Sequence, residues 1–426
     1  MPSDDSPPQA RSEDQSYAAK RAAGPSAARL PGPTGSPAPT AGSPLRAPGF
    51  VTLLVAQASF GVAYSLFLIL PKYLATRLGT ATGRIGAIMA AAAVSNVVAV
   101  PFISRLHDAR AAKRAIVLGN CAMMASAFGF LFTTTPGLPA FGSRFLQGLA
   151  WALVFSSSSL LAVALAPRPR MAEAIALQNS ANLITNAVGP ALAEPLLDHY
   201  GPAPVFYLSA AFALLAALTT FGIRLPKAAP LPPDTDAATT TRRGGGFINF
   251  TALVLGVASW GTFTLHQPLA LARGLDKVAP FLIAYTAAAI TVRLVLSRIA
   301  DRLGPGRIAV ASFVLYGGIV AALPTLGYVP VPLAAYGAVF GLAHGVFFPS
   351  FLALAISTAP ESRRPAVMAW VNAFFNAGAV VVIPFALLAE HFGFAAAFVP
   401  IGFVTIVTAV GLHRVLPLLA PRGGPG

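Results

Sequence analysis

Twelve apolar runs punctuate the chain, at residues 50 to 71, 84 to 103, 115 to 132, 139 to 165, 173 to 196, 203 to 223, 247 to 269, 278 to 296, 308 to 326, 332 to 357, 365 to 389 and 394 to 417. Each is roughly 20 residues long, which a helix needs to cross about 30 Å of hydrocarbon. In lipid every backbone polar group must be satisfied internally, so only helices and closed barrels span a membrane, and runs of this length are too long for barrel strands. The chain is 56% hydrophobic and 10% charged, with a mean hydropathy of +0.70, far from the roughly 25% charged residues of a soluble domain. The expected fold class is an all-α membrane protein with twelve transmembrane helices.

The runs are also duplicated. The segment from Ser104 to Arg114 reappears from Ser297 to Arg307, with Asp108 and Asp301 193 residues apart. At that same offset Gly148, Leu149 and Ala150 match Gly341, Leu342 and Ala343, Phe155 matches Phe348, Ser157 matches Ser350, Ala166-Pro167 matches Ala359-Pro360, and Asn179 matches Asn372. Such a repeat inside apolar helices predicts two membrane halves, 48–223 and 247–420, around a shared central site. The segment 224–246, with Lys227, Pro230, Pro232, Pro233, Asp234, Asp236, Arg242 and Arg243, reads as a flexible cytoplasmic linker. The Pro-, Ser-, Ala- and Gly-rich stretch 1–47 reads as a disordered cytoplasmic tail, and 421–426 as a short C-terminal one.

A formal net charge of +15 would suggest nucleic acid in a soluble protein. Here the basic residues fall on alternate connections: Arg105, Arg110, Lys113 and Arg114, then Arg168 and Arg170, then Arg224 to Arg243, then Arg298, Arg302 and Arg307, then Arg363 and Arg364. The opposite connections hold only Lys72, Arg77, Arg84, Arg273 and Lys277, so the positive-inside rule places both termini in the cytoplasm of a cell inner (plasma) membrane protein and argues against a nucleic-acid partner. Cys121, the one cysteine, is expected to serve packing, and no metal-ligand spacing is present.

Two six-span halves, a basic central loop and the segment between spans 2 and 3, repeated between spans 8 and 9, resemble the major facilitator superfamily. The signature Gly-x-x-x-Asp-Arg/Lys-x-Gly-Arg/Lys-Arg/Lys is kept at Asp301, Arg302, Gly304 and, one place late, Arg307. The first copy keeps Asp108, Lys113 and Arg114 and departs at Ser104, Ala109 and Ala111. The resemblance implies two bundles related by a pseudo-twofold axis. It also implies gating, in which Asp108, Arg114, Asp301, Arg302 and Arg307 latch the cytoplasmic ends; the plainer alternative is that the aspartates cap turns.

Arg144 and Gln147 of span 4 resemble the family's Arg-x-x-Gln-Gly motif, whose arginine is implicated in proton coupling in antiporters. An arginine at membrane depth normally faces a cavity or a partner, the alternative being one that snorkels. Asn179, Asn182 and Asn186 form one face of span 5, which continues onto Gly189-Pro190, a pair resembling the antiporter motif of that span. Glu194 is a candidate proton carrier or an ordinary interfacial carboxylate. His344 occupies the place of Trp151 one repeat later and is either a proton site or a structural histidine. Asn372 and Asn376 mirror the Asn179 face, Arg293 approaches the cavity floor or snorkels, and Trp260, His266, Gln267 and Tyr285 are weaker cavity candidates.

No Gly-x-Ser-x-Gly elbow surrounds the serines from 156 to 159, and no nucleotide motif occurs, so neither an enzyme nor ATP is expected, and no cofactor is called for. The expected function is proton-coupled efflux of a small organic solute by a monomer in the lipid bilayer. Uptake or facilitated diffusion of a small anionic metabolite, and a non-transporting receptor, are the alternatives.

Overall fold

The computed structural model describes residues 43–47, 49–103, 108–167, 170–225, 245–303, 305–357, 359 and 364–419. The tail before Ser43, most of the linker, and the loop residues 104–107 and 360–363 lie outside the described residues. Within them the chain forms α1 (Phe50–Arg77), α2 (Thr82–Ile103), α3 (Ala109–Leu131), α4 (Leu138–Leu165), α5 (Met171–Tyr200) and α6 (Pro202–Phe221). There follow α7 (Gly245–Ala272), α8 (Ala279–Leu303), α9 (Pro305–Ala322), α10 (Leu333–Ser357), α11 (Arg364–Phe392) and α12 (Phe394–Leu419). Helix α7 takes in Gly245 and Gly246, which the sequence assigned to the linker.

Ten of the described helices are long and apolar enough to cross a membrane. The fifth and eighth expected spans are not among them. Helix α5 carries Glu173, Gln178, three asparagines and Glu194, while the apolar stretch of α8 is the shorter Ala279–Val295. Both are buried by protein contact: α5 packs on α1 and α8, and α8 on α10 and α5. A polar helix is tolerated in lipid when its polar face turns to protein in this way.

The neighbour pattern repeats six helices on. Helix α3 packs on α4 and α6 as α9 packs on α10 and α12; α2 on α4 as α8 on α10; α1 on α5 and α6 as α7 on α11 and α12. The closest crossings keep the register of the sequence repeat. A Cβ added at Gly148 would lie 2.2 Å from the carbonyl oxygen of Ala92, and one at Gly341 would lie 2.2 Å from that of Tyr285. Ala92 and Tyr285 are themselves 193 residues apart. The turns agree too: α5 meets α6 at Gly201, φ +83°, and α11 meets α12 at Gly393, φ +85°. Those values are sterically open to glycine and costly for a residue with a Cβ.

Helix α1 is broken. Phe50–Ser65 is α-helical, Leu66–Ile69 tightens to a 3-10 turn, and Leu70–Arg77 resumes. The cause is Pro71, which has no N–H to give back along the ladder, so the N–H of Leu70 bonds three residues back to Phe67 instead. Cys121 is exposed on α3 rather than packed inside, because the buried stripe of that helix runs through Asn120, Met123 and Ala127.

Substituting Leu for Gly148 or Gly341 should destabilise the protein by roughly 1–3 kcal/mol or more, since backbone rather than a flexible side chain blocks the new atoms. Gly142, which has open space around it, should accept Ala. Thermal unfolding in detergent checks both.

Candidate functional site

The break in α1 leaves two backbone groups without helical partners, the carbonyl of Leu68 and the N–H of Lys72. Both are taken by one side chain of α7. Gln267 accepts from Lys72 N at 2.9 Å and donates through Nε2 to Leu68 O at 2.6 Å, in the pairing that a continuous helix would have supplied itself. The turn thereby becomes a socket for the other half of the chain.

Around that socket a charged cluster of the first half, Lys72 with Glu194 and Asp198, reaches residues 276–279 of the second. Lys72 Nζ lies 2.9 Å from Glu194 Oε1, 2.8 Å from Asp198 Oδ1 and 2.5 Å from the carbonyl of Asp276. Glu194 also accepts from the first amides of α8, Val278 N at 2.6 Å and Ala279 N at 3.0 Å. A carboxylate at a helix N-terminus is favoured by the helix dipole as well as by those bonds. Lys277 completes the cluster at 2.8 Å from Asp198, and a second clasp joins Glu390 of α11 to the amide of Gly83 at 2.7 Å. Glu194 is therefore buried and paired, not an interfacial carboxylate, and Lys72 is buried rather than part of an exposed connection.

All of these contacts lie at one end of the helices, that of the connections at 78–81 and 273–278. At the opposite end, among the described residues, α4 makes no extensive contact with α10 or α11. The signature residues stand at that end. Asp108 caps α3, accepting from Ala111 N at 2.6 Å, and it is exposed, as is Arg114. Lys113 bonds the carbonyls of Phe221 and Ile223 within its own half. Arg307 is exposed; Asp301 and Arg302 lie on α8, and their side chains are outside the described residues. The described contacts of Asp108 are those of a helix cap.

Between the ends, polar side chains sink into the first half. Arg144 is 3% exposed; it donates to Gln147 Oε1 and lies beside Tyr64 of α1. No carboxylate of the described residues pairs with it, and its Nε has no protein partner. Gln57 of α1 donates to Asn182 of α5 at 2.7 Å, leaving Gln57 Oε1 and Asn182 Nδ2 unpartnered. Gln147 Nε2 and both polar atoms of the buried Gln178 are also unpartnered. Buried polar groups without partners are uncommon, and those of α1, α4 and α5 stand beside others on α7, at Trp260, Thr262 and His266. Asn179 and Asn186 of α5 are half-buried, and Gly189 and Pro190 form the close crossing with Ser65 of α1.

In the second half, Ser259 of α7 hydrogen-bonds the hydroxyl of Tyr316 of α9 at 2.8 Å, which in turn lies 3.4 Å from Nδ1 of His344. Arg293 donates to the carbonyl of Gly345 at 3.4 Å, next to that histidine. His266 is fully buried, bonded to the carbonyl of Thr262 at 2.7 Å and stacked on Phe281. Asn376 bonds back to Asn372 within α11. The structure thus pairs Arg144 with Gln147 and Asn182 with Gln57, sets His344 near Arg293 and Tyr316, and leaves Asn372 and Asn376 bonded to each other. Gln57, Tyr64, Lys72, Gln178, Ser259 and Tyr316 belong to these clusters without a motif to announce them. A lone glutamine inside an apolar run was the available signal for Gln57.

Comparison with known proteins follows this geometry. Residues 51–335 and 281–425 match the family model of the Major Facilitator Superfamily. No curated protein matches in sequence. Among solved structures, a POT family transporter in complex with 5-aminolevulinic acid aligns at a TM-score of 0.73 and 13% identity, covering 88% of this chain and 97% of that one. A POT peptide transporter mutant aligns at 0.71 and 16% identity, covering 87% and 94%, and a mutant of the nucleoside transporter NupG at 0.67 and 13%, covering 87% and 100%. At these identities the likeness is one of fold.

Burial raises the proton affinity of Asp198, but hydrogen bonds from Lys277 and Lys72 outweigh it and hold the carboxyl below its ordinary range. The Asp198 partner, in turn, raises Lys277. The contribution of Asp198 to closure is therefore present above its ordinary range and lost only as pH falls through the depressed value; that of Lys277 is present below the ordinary lysine range. The rim pair should hold between about pH 4 and pH 10. Lys72→Met should loosen this end, because it removes the bond to the carbonyl of Asp276 and leaves Glu194 without its buried cation, at a cost of roughly 3–5 kcal/mol, whereas Lys277→Met at the exposed rim should have the smaller effect. Spin-label distances across the 78–81 and 273–278 connections give the readout.

Proposed function

The chain belongs to the major facilitator superfamily, and we propose that it is a secondary transporter that moves a small organic solute by alternating access. In this reading twelve helices cross the plasma membrane as two six-helix units, 48–223 and 247–420, related by a pseudo-twofold axis, with both termini in the cytoplasm. The repeated neighbour pattern and the paired crossings at Gly148 and Gly341 support the two units. The observation that carries the function is one-ended closure: the halves are clasped through Lys72, Glu194, Gln267 and Glu390 at one end, while α4 stands apart from α10 and α11 at the other, with the Arg144 cluster between. The latch marks the outer face, because the basic connections lie at the opposite end, so this is the cytoplasm-facing state.

Export in exchange for protons is the direction assigned, and Glu194 supports it. This carboxylate is buried at the outer closure and crosses to the second half through the first amides of α8, so a proton placed on it would weaken that hold. The groups facing it are Lys72, with Asp198 and Lys277 beyond, and the two α8 amides. Facilitated movement of an anionic metabolite is a second reading, favoured by Arg144 having no acidic partner. The POT proteins and NupG are named as transporters of peptides and nucleosides and bind compounds such as 5-aminolevulinic acid, solutes of similar size.

Counterflow in proteoliposomes with a panel of labelled solutes tests this. Arg144→Ala should reduce exchange at least about tenfold, as expected when a buried charged contact worth roughly 1.5–3 kcal/mol is removed. A proton gradient directed inward from the outer face should accelerate wild-type export, and Glu194→Gln should abolish that acceleration. Binding without exchange by any solute would establish a receptor instead.

A further inference from the structure

Among the aromatic side chains that are not exposed, two sets stand out. One fills the core: Phe130, Phe313, Phe340 and Phe347 are fully buried. The other is half-buried on α1, α4, α7, α10 and α11. On the first half Tyr64 of α1 stands 4.6 Å from Trp151 of α4, and Trp151 stacks on Phe155 at 5.2 Å with their planes 10° apart. On the second half Phe375 of α11 lies 6.0 Å from Trp260 of α7 and 5.9 Å from Phe348 of α10. Phe155 and Phe348 are repeat mates. No ring of one group lies in ring contact with a ring of the other among the described residues, so each presents aromatic surface that its own half does not cover.

The first group adjoins the buried cation through Tyr64, which contacts Trp151 and lies beside Arg144. The Nε–H of Arg144 is unpartnered, and α1, α4, α7 and α10 contain no Asp or Glu at all. A guanidinium edge pairs bidentately with a carboxylate, and a buried cation without a counter-charge gains most from a ligand that brings one. Flat rings pack against aromatic faces at these separations, and a polarised ring–ring contact adds about 0.5–1.5 kcal/mol beyond the area it buries.

We infer that the solute is a small aromatic carboxylate, its carboxyl group on Arg144 and its ring between the Tyr64–Trp151–Phe155 and Trp260–Phe348–Phe375 groups. The inference names the substrate class of the transport site proposed above and rests on that reading. The two parts of the ligand are recognised by different residues, so they separate experimentally.

The test is calorimetric binding to the purified protein and counterflow in proteoliposomes, with benzoate, indole-3-acetate, cyclohexanecarboxylate and benzamide as probes. Wild type should bind and exchange the two aromatic carboxylates at least about tenfold better than the amide, which lacks the charge, and several-fold better than the saturated ring. Arg144→Gln should remove the preference for acid over amide. Trp151→Leu should erase the preference for benzoate over cyclohexanecarboxylate while leaving acid over amide intact. Folding of each variant is checked by thermal unfolding, and the wild-type panel decides without them. Equal handling of benzoate and cyclohexanecarboxylate would overturn the aromatic half of the assignment, and equal handling of benzoate and benzamide the anionic half. Exchange of other solutes with none of these probes recognised would overturn the inference and leave the transporter standing, whereas the absence of exchange for every solute would sink the transporter reading itself.

Discussion

A membrane helix cannot leave a backbone group unpaired, and that constraint organises this protein at the point where Pro71 breaks α1. The carbonyl of Leu68 and the N–H of Lys72 need partners that the helix can no longer provide, and lipid offers none. Gln267 reaches across from α7 and supplies both. A defect in one half thus becomes a dependence on the other half, and the contacts at this end are built around it. The charges of Lys72, Glu194, Asp198 and Lys277 add strength, but the amide fixes where α7 sits on α1, since two antiparallel hydrogen bonds tolerate little sliding.

The duplication sets the scaffold and divergence sets the chemistry. The crossings of α2 with α4 and of α8 with α10 keep the same register, because a glycine is the only residue that allows the approach of 2.2 Å a Cβ would have to make at Gly148 and Gly341. The residues on the inner faces have not stayed alike. The mate of Arg144 is Gly337, which packs on the backbone of Phe281, and the mate of Trp151 is His344. One half therefore contributes a cation with unpaired amides, and the other an imidazole bonded to Tyr316 beside Arg293. Such asymmetry suits a site that must grip one end of a solute more firmly than the other.

The family and the helical character were legible because each is written in one dimension, as the lengths of apolar runs and as a signature segment between them. The buried cluster was legible in part. Arg144, Gln147 and Asn182 stood out because polar residues inside apolar runs are costly, yet Gln57 and Gln178 carry the same cost and were passed over for want of a motif. Lys72, read among the connections, is buried, and the sequence hid this because the residue lies near a helix end, where a charge ordinarily reaches water. Which face a residue presents there depends on how neighbouring helices tilt and on the break at Pro71, neither of which periodicity encodes. The low hydropathy of α5 has the same root, since a helix enclosed by α1 and α8 is free to be polar on the side it hides.

Cavity and closure share their helices, and this decides how one can speak to the other. Helix α1 carries Gln57 and Tyr64 toward the Arg144 cluster and, beyond its break, Leu68 and Lys72 into the outer clasp. Helix α5 carries Asn182 into the cluster and Glu194 into the clasp, with the tight crossing of Gly189 on Ser65 between them. A solute shifts a conformational equilibrium only by the difference in its contacts between the two states. A ligand that draws Tyr64 and Asn182 toward Arg144 acts on the same two helices whose outer ends hold Lys72 against Glu194. The close crossing of Gly189 on Ser65 couples α1 to α5, so a shift of that pair at the cluster carries Lys72 and Glu194 together against residues 276–279, where the first half meets the second.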